Sequence, residues 1–187
     1  MTDHYIERNQ AKWILASEDL LNLSSDRQRE IFDGECGDEQ REPSSEQANM
    51  QALLAVLDRW TRLKLPSHDT LYFCAIDVLA SGYSGCRTEY IEARLLGLNV
   101  GPHIITGNPE PLVRCPCCDY FTLVERGQYD VCRVCFWEDS GLSDLDRFSS
   151  PNRMTLRQAR LNFERFFACD ERAARFLRVD RLKMFVQ

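Results

Sequence analysis

The chain has 187 residues, 44% of them apolar and 28% charged, which is ordinary for a soluble globular protein of one large domain or two small ones. No stretch approaches the ~20 apolar residues that a membrane span requires. The formal charge is −6, and it is uneven: residues 151–187 hold nine basic and four acidic side chains (+5), while residues 1–150 hold 14 basic and 25 acidic ones (−11). That balance opposes nonspecific binding to nucleic acid and favours a basic partner. The N-terminal residues show no basic segment followed by an apolar one, so no secretory signal is expected. A reducing cytoplasm is the expected location, and nine cysteines then need an explanation other than disulfides.

In chain order, Ile6, Trp13 and Ile14 recur near helical spacing and predict a short helix over about Tyr5 to Ser17. Ser25 and Gln28 fit a capping box that opens a second helix, with Ile31 and Phe32 on its inner face. Residues 33–45 are polar and turn-rich, and read as an exposed loop. From Glu46 to Leu63, an apolar stripe of Ala52, Leu53, Val56, Leu57, Trp60 and Leu63 predicts the clearest helix. Another is expected from Thr70 to Ala80, burying Leu71, Cys74, Ile76, Val78 and Leu79, and it is interrupted at Gly82 and Gly85. Thr88 to Leu96 predicts a further short helix, and 98–106 has strand character. Residues 107–111 mark a turn before the cysteines.

Cys115 and Cys118 are separated by two residues, as are Cys132 and Cys135, and 13 residues lie between the pairs. Two such pairs match a tetrahedral four-cysteine zinc site. A two-residue gap lets the chain turn tightly, so both sulfurs face one metal while nearby backbone N–H groups donate to them. Residues 120–124 and 128–131 can form a hairpin around Arg126-Gly127, giving a zinc ribbon. A redox dithiol and iron–sulfur ligation are the alternatives. Catalytic zinc is disfavoured, because four protein thiolates leave no position for water. Arg114 and Arg133, beside ligands, are placed to offset the site's negative charge.

Cys117 could replace Cys118 as a ligand only through a cramped one-residue gap, so it reads as a spare thiol. Cys36, Cys74, Cys86 and Cys169 lack partners at metal spacing, and Cys74 reads as a small core residue. His4, His68 and His103 are isolated from one another in sequence and read as structural or surface residues.

Residues 137–146 are acidic, but their spacing fits no EF-hand, so they read as a solvated loop. Thr155 and Gln158 form another capping box, and Leu156, Ala159, Phe163, Phe166 and Phe167 line one face of the helix it opens, expected to pack on the ribbon and Trp137.

Cys115-Pro-Cys-Cys, Cys132-Arg-Val-Cys-Phe-Trp-Glu-Asp, Ser150-Pro-Asn and Phe167-Ala-Cys169 together resemble the bacterial cysteine-rich CPCC domain. The resemblance covers about 112–169, and 89–111 is similar to the segment preceding this domain in longer members. Asp119 stands where the family usually has Gly, a position where a positive φ is tolerable for Asp. The resemblance implies metal binding and no established enzymatic reaction. Members occur in bacterial loci encoding polymorphic toxins, which implies that some are immunity proteins.

The expected fold is therefore α+β: a mainly helical region (1–110, with a strand near 98–106), a zinc-ribbon domain backed by a C-terminal helix (111–169) and a basic segment (170–187). The leading functional reading is a non-enzymatic, zinc-stabilised protein that neutralises a cognate, basic toxin, with the acidic loops 33–46 and 138–146 as contact surfaces. The alternative is a nucleic-acid-binding regulator using Arg172, Arg175, Arg178 and Arg181, which recur at helical spacing. More simply, those arginines pair with the acidic N-terminal part of the chain. No serine–histidine–aspartate set, phosphate-cradling glycine loop or histidine–carboxylate metal site appears, and Cys117-based redox chemistry is the one catalytic option the sequence offers.

Overall fold

In the computed structural model, which describes residues 4–34, 70–98 and 102–187, the chain opens as a strand and not as a helix. Strand β1 (Tyr5–Glu7) pairs in parallel with β2 (Ile104–Thr106), and Ile6 lies opposite Ile105. Those two isoleucines are buried while their neighbours are exposed, so the alternating strand pattern wins over the looser helical spacing. Helix α1 (Arg8–Asn22) follows, with the Gln10 side chain accepting from the Glu7 N–H at its start. The expected helix Glu46–Leu63, most of the 33–45 loop, Cys36 and His68 lie outside the described residues.

The described residues fall into two compact units, Met1–Ser84 with Arg94–Gly107 and Gly85–Ala93 with Asn108–Gln187. In the first unit, α1 packs on α3 (Thr70–Ser81), and α2 (Ser25–Gly34) adds a smaller contact to the same helix. Leu15, Leu20, Ile76, Tyr83 and Leu95 are its best-buried large side chains. Asp19 provides a polar anchor, accepting from the Tyr83 hydroxyl and pairing with Arg94 at 3.0 Å. Ser24, one residue before the expected cap, accepts from the Arg27 N–H and starts α2. Gln28 is thereby released to donate to the Leu20 carbonyl. Cys74 is half-buried and disulfide-bonded, which corrects its reading as a plain core thiol. His4 and His103, distant in sequence, meet because β1 and β2 pair, with ring centroids 5.9 Å apart.

Helix α4 (Thr88–Gly97) contributes Thr88–Ala93 to the second unit. That unit further holds the antiparallel pairs β3 (Val113–Arg114) with β4 (Phe121–Leu123) and β5 (Phe148–Ser149) with β6 (Met154–Thr155). Helix α5 (Leu156–Phe166) follows, then a 3₁₀ helix (Glu171–Phe176) and the short α6 (Arg181–Met184). The described residues are α+β, with helices both before and after the cysteine cluster in the sequence. The capping box at α5 forms as expected, Thr155 Oγ1 accepting from the Gln158 N–H and Gln158 Oε1 from the Thr155 N–H. No helix among the described residues is long and apolar enough to cross a membrane.

Candidate metal centre

The two cysteine pairs fold into near-copies of one local structure. In the first, the Asp119 N–H donates to the Cys115 carbonyl (3.0 Å) and the Cys115 N–H to the Tyr120 carbonyl (2.9 Å). In the second, the Phe136 N–H donates to the Cys132 carbonyl (2.8 Å) and the Cys132 N–H to the Trp137 carbonyl (2.8 Å). The residue after each pair is left-handed, Asp119 at φ 66° and Phe136 at φ 69°. Asp tolerates this region, whereas a bulky aromatic is strained there. Two residues past the first cysteine of each pair, a backbone N–H donates to that cysteine's sulfur: Cys117 to Cys115 Sγ and Val134 to Cys132 Sγ, both at 3.4 Å.

That equivalence decides the role of Cys117. It fills the place that Val134 fills in the other knuckle, where a buried side chain and a backbone donor are wanted. The four sulfurs that do converge are those of Cys115, Cys118, Cys132 and Cys135, all within 4.8 Å of one another and all buried. Cys115 to Cys135 and Cys118 to Cys132 are each 3.6 Å apart. A tetrahedral cage with metal–sulfur bonds of ~2.3 Å places its sulfurs about 3.8 Å apart, so the set is positioned to bind a metal ion.

The hairpin is arranged differently from the expectation. Residues 120–124 do not pair with 128–131; instead each knuckle closes its own ladder, β3 with β4 and Val131 with Glu138. The physical reason is that a two-residue knuckle already reverses the chain, so its two flanks lie side by side. Arg126-Gly127 instead forms a turn held by Asp139. The buried Asp139 carboxylate accepts from Arg126 Nε (2.7 Å) and the Gly127 N–H (2.8 Å). Gly127 and Gly141 both take positive φ, and a Cβ on Gly127 would lie 3.4 Å from the Gly141 Cα, so this turn is drawn tight against the following loop.

Cys132 is the sulfur on which donors converge. Burial alone pushes its thiol up, but the Cys115, Cys118 and Cys135 thiols and Thr122 donate to it and hold it well below the usual range. Cys118 is pushed up through its hydrogen bonds to Cys115 and Cys132, and Cys135 first of all by burial. Thr122 on β4, whose Oγ1 lies 3.0 Å from Cys132 Sγ, was not foreseen from sequence. Two arginines were also missed. Arg160 of α5 donates to the Pro116 carbonyl (2.9 Å) and Arg181 of α6 to the Val134 carbonyl (2.8 Å), so each knuckle is held by one guanidinium. Of the two foreseen, Arg114 lies over the Phe121 ring, 4.6 Å from its centroid.

Other expectations change here. Trp137 is fully buried and Leu156 and Ala159 face inward, but Phe166 and Phe167 are exposed. Phe163 alone of the three reaches toward the knuckle, edge-on to Tyr120 at 6.3 Å. The arginines at 172, 175, 178 and 181 do not share a helix face, because the chain is extended at Leu177 between the 3₁₀ helix and α6. Two of them have local partners: Arg172 pairs with Asp170 at 3.1 Å and Arg178 with Asp180 at 3.2 Å. The acidic loop at 138–146 is partly spent, since Asp139 is buried and Asp146 pairs with Arg157 at 2.7 Å.

Residues 113–181 match the family model described as cysteine-rich CPCC. This segment is a cysteine-rich CPCC domain. The match runs from β3 through the first residue of α6, and so includes both Arg160 and Arg181. No curated protein and no solved structure matches the chain.

Proposed function

We propose that Cys115, Cys118, Cys132 and Cys135 hold one structural zinc ion, and that the chain is a non-enzymatic binding protein that neutralises a cognate toxin. The observation that carries this reading is closure of the donor set. Four sulfurs, none more than 3% exposed, fill all four positions of a tetrahedral ion and leave none for water or substrate. A metal so held supplies folding free energy and a cross-link between the knuckles, and no reaction centre. Function then falls to the surfaces that the domain displays. The charge of −6 supports a basic partner, whose capture complementary fields would accelerate.

Elemental analysis of the purified chain tests the metal: one zinc per chain is expected, and iron or no metal refutes it. Co-expression with the product of the neighbouring gene tests the partner. A complex that protects cells from that product is expected, and its absence sinks the toxin-neutralising role while leaving the zinc assignment standing.

A further inference from the structure

Beside the second knuckle, the CPCC domain encloses a cleft of about 370 Å³. Three segments build it: the flanks of that knuckle with Val131 and Phe136, the β5–β6 turn with Arg153 and Met154, and the 3₁₀ helix with Arg175 and Phe176. Hydrogen bonds fix these walls in place. The Asn152 side chain accepts from the Glu138 N–H (2.9 Å) and donates to the Glu138 carbonyl (2.8 Å), tying the turn to the knuckle. The Cys169 N–H donates to the Cys135 carbonyl, tying in the chain that leads to the 3₁₀ helix.

The floor is apolar yet open, with Val131 44%, Phe136 38% and Phe176 62% exposed. Its charge is basic. Asp170 neutralises Arg172, which leaves Arg153 and Arg175 against the single carboxylate of Glu138. Arg153 is held exposed in a left-handed conformation (φ 54°), a cost that the surrounding turn must sustain. We propose that this cleft binds a short acidic segment of a partner protein. One apolar side chain of the segment enters over Phe136, Val131 and Met154, and its flanking carboxylates meet Arg153 and Arg175.

Charge complementarity selects an acidic occupant, and the apolar floor selects a peptide. Nucleic acid fits less well, because Phe176 already has Phe136 stacked on it (5.6 Å) and the Arg175 guanidinium over it (4.6 Å), which engages the ring against base stacking. The acidic occupant of this cleft is distinct from the basic toxin of the toxin-neutralising reading, so the cleft does not depend on that reading.

A display library of short random peptides, panned on the full zinc-loaded chain, tests the assignment. Enrichment of sequences with Asp or Glu around one apolar residue is expected. Arg153→Glu combined with Arg175→Glu should weaken the best of them about tenfold or more, with metal content and melting unchanged. Should metal content fall in that double variant, Arg153→Asn, which suits the left-handed backbone, carries the same test. No enrichment, enrichment of basic or neutral sequences, peptide binding that survives charge reversal, or displacement of the peptide by a single-stranded oligonucleotide each overturns it.

Discussion

Replacing Thr122 by Val isolates what surrounds the metal from what binds it. The side chain is buried at 4% exposure, and its hydroxyl lies 3.0 Å from Cys132 Sγ, the sulfur that also accepts from the Val134 and Cys135 N–H groups. Valine keeps the volume and the strand preference of β4 but removes one donor. A hydrogen bond to a charged acceptor contributes about 1.5–3 kcal/mol, and such a partner of a metal ligand changes affinity roughly 10–100-fold. Zinc affinity, measured by competition with a chromophoric chelator at fixed pH, should therefore fall by about one to two decades. Thr122→Ser, which keeps the hydroxyl, should stay close to the parent. An affinity for Thr122→Val within about twofold of the parent would show that the thiolate gains nothing from this contact.

Cys132→Ser should abolish stoichiometric zinc binding and unfold residues 112–169, read as lost near-ultraviolet circular dichroism and loss of amide protection; retained order would refute the folding role of the site. Cys117→Ala should leave one metal per chain, since Val134 shows that its position needs only a backbone donor and a packed side chain. Asp139→Ala removes the acceptor for Arg126 and Gly127 and should cost about 2 kcal/mol in urea unfolding, with metal content unchanged when folded. The Cys169 thiol is pushed up to about 12, by burial first and then by nearby negative groups. In the unfolded chain it titrates near ~8.5, so the stability from keeping it neutral is intact below that pH and is lost as pH rises toward 12. Alkylation at pH 8 should spare Cys169 in the folded protein, and Cys169→Ala should flatten the loss of stability above pH ~8.5.

The convergence of the four cysteines was legible because its signal is local. A knuckle is closed by hydrogen bonds between residues four or five apart, such as Asp119 to Cys115 and Cys132 to Trp137, so residue spacing alone carries the geometry. The capping box at Thr155 and Gln158 was legible for the same reason. What holds the knuckles in place was not. Arg160 reaches Pro116 across 44 residues and Arg181 reaches Val134 across 47, and nothing in a basic stretch says which arginine will meet a carbonyl. The helical spacing of the last arginines misled because it assumed a helix that ends at Phe176. The hairpin misled because alternation marks strands without saying which strand each will pair with.

The four-cysteine cluster and the basic cleft are built from adjoining residues. Phe136 is held in its strained backbone conformation by its hydrogen bond to Cys132, one step past Cys135 of the cluster. The Cys135 carbonyl also accepts from the Cys169 N–H, just before the Asp170 cap of the 3₁₀ helix that carries Arg175 and Phe176. Loss of the ion would release Phe136 and that helix together, since neither has a large apolar core of its own to hold it. Chelation should therefore abolish peptide binding at the cleft even though no cleft residue ligates the metal. Binding that persists in the chelated protein would mean that the cleft is fixed by the Asn152 bridges alone.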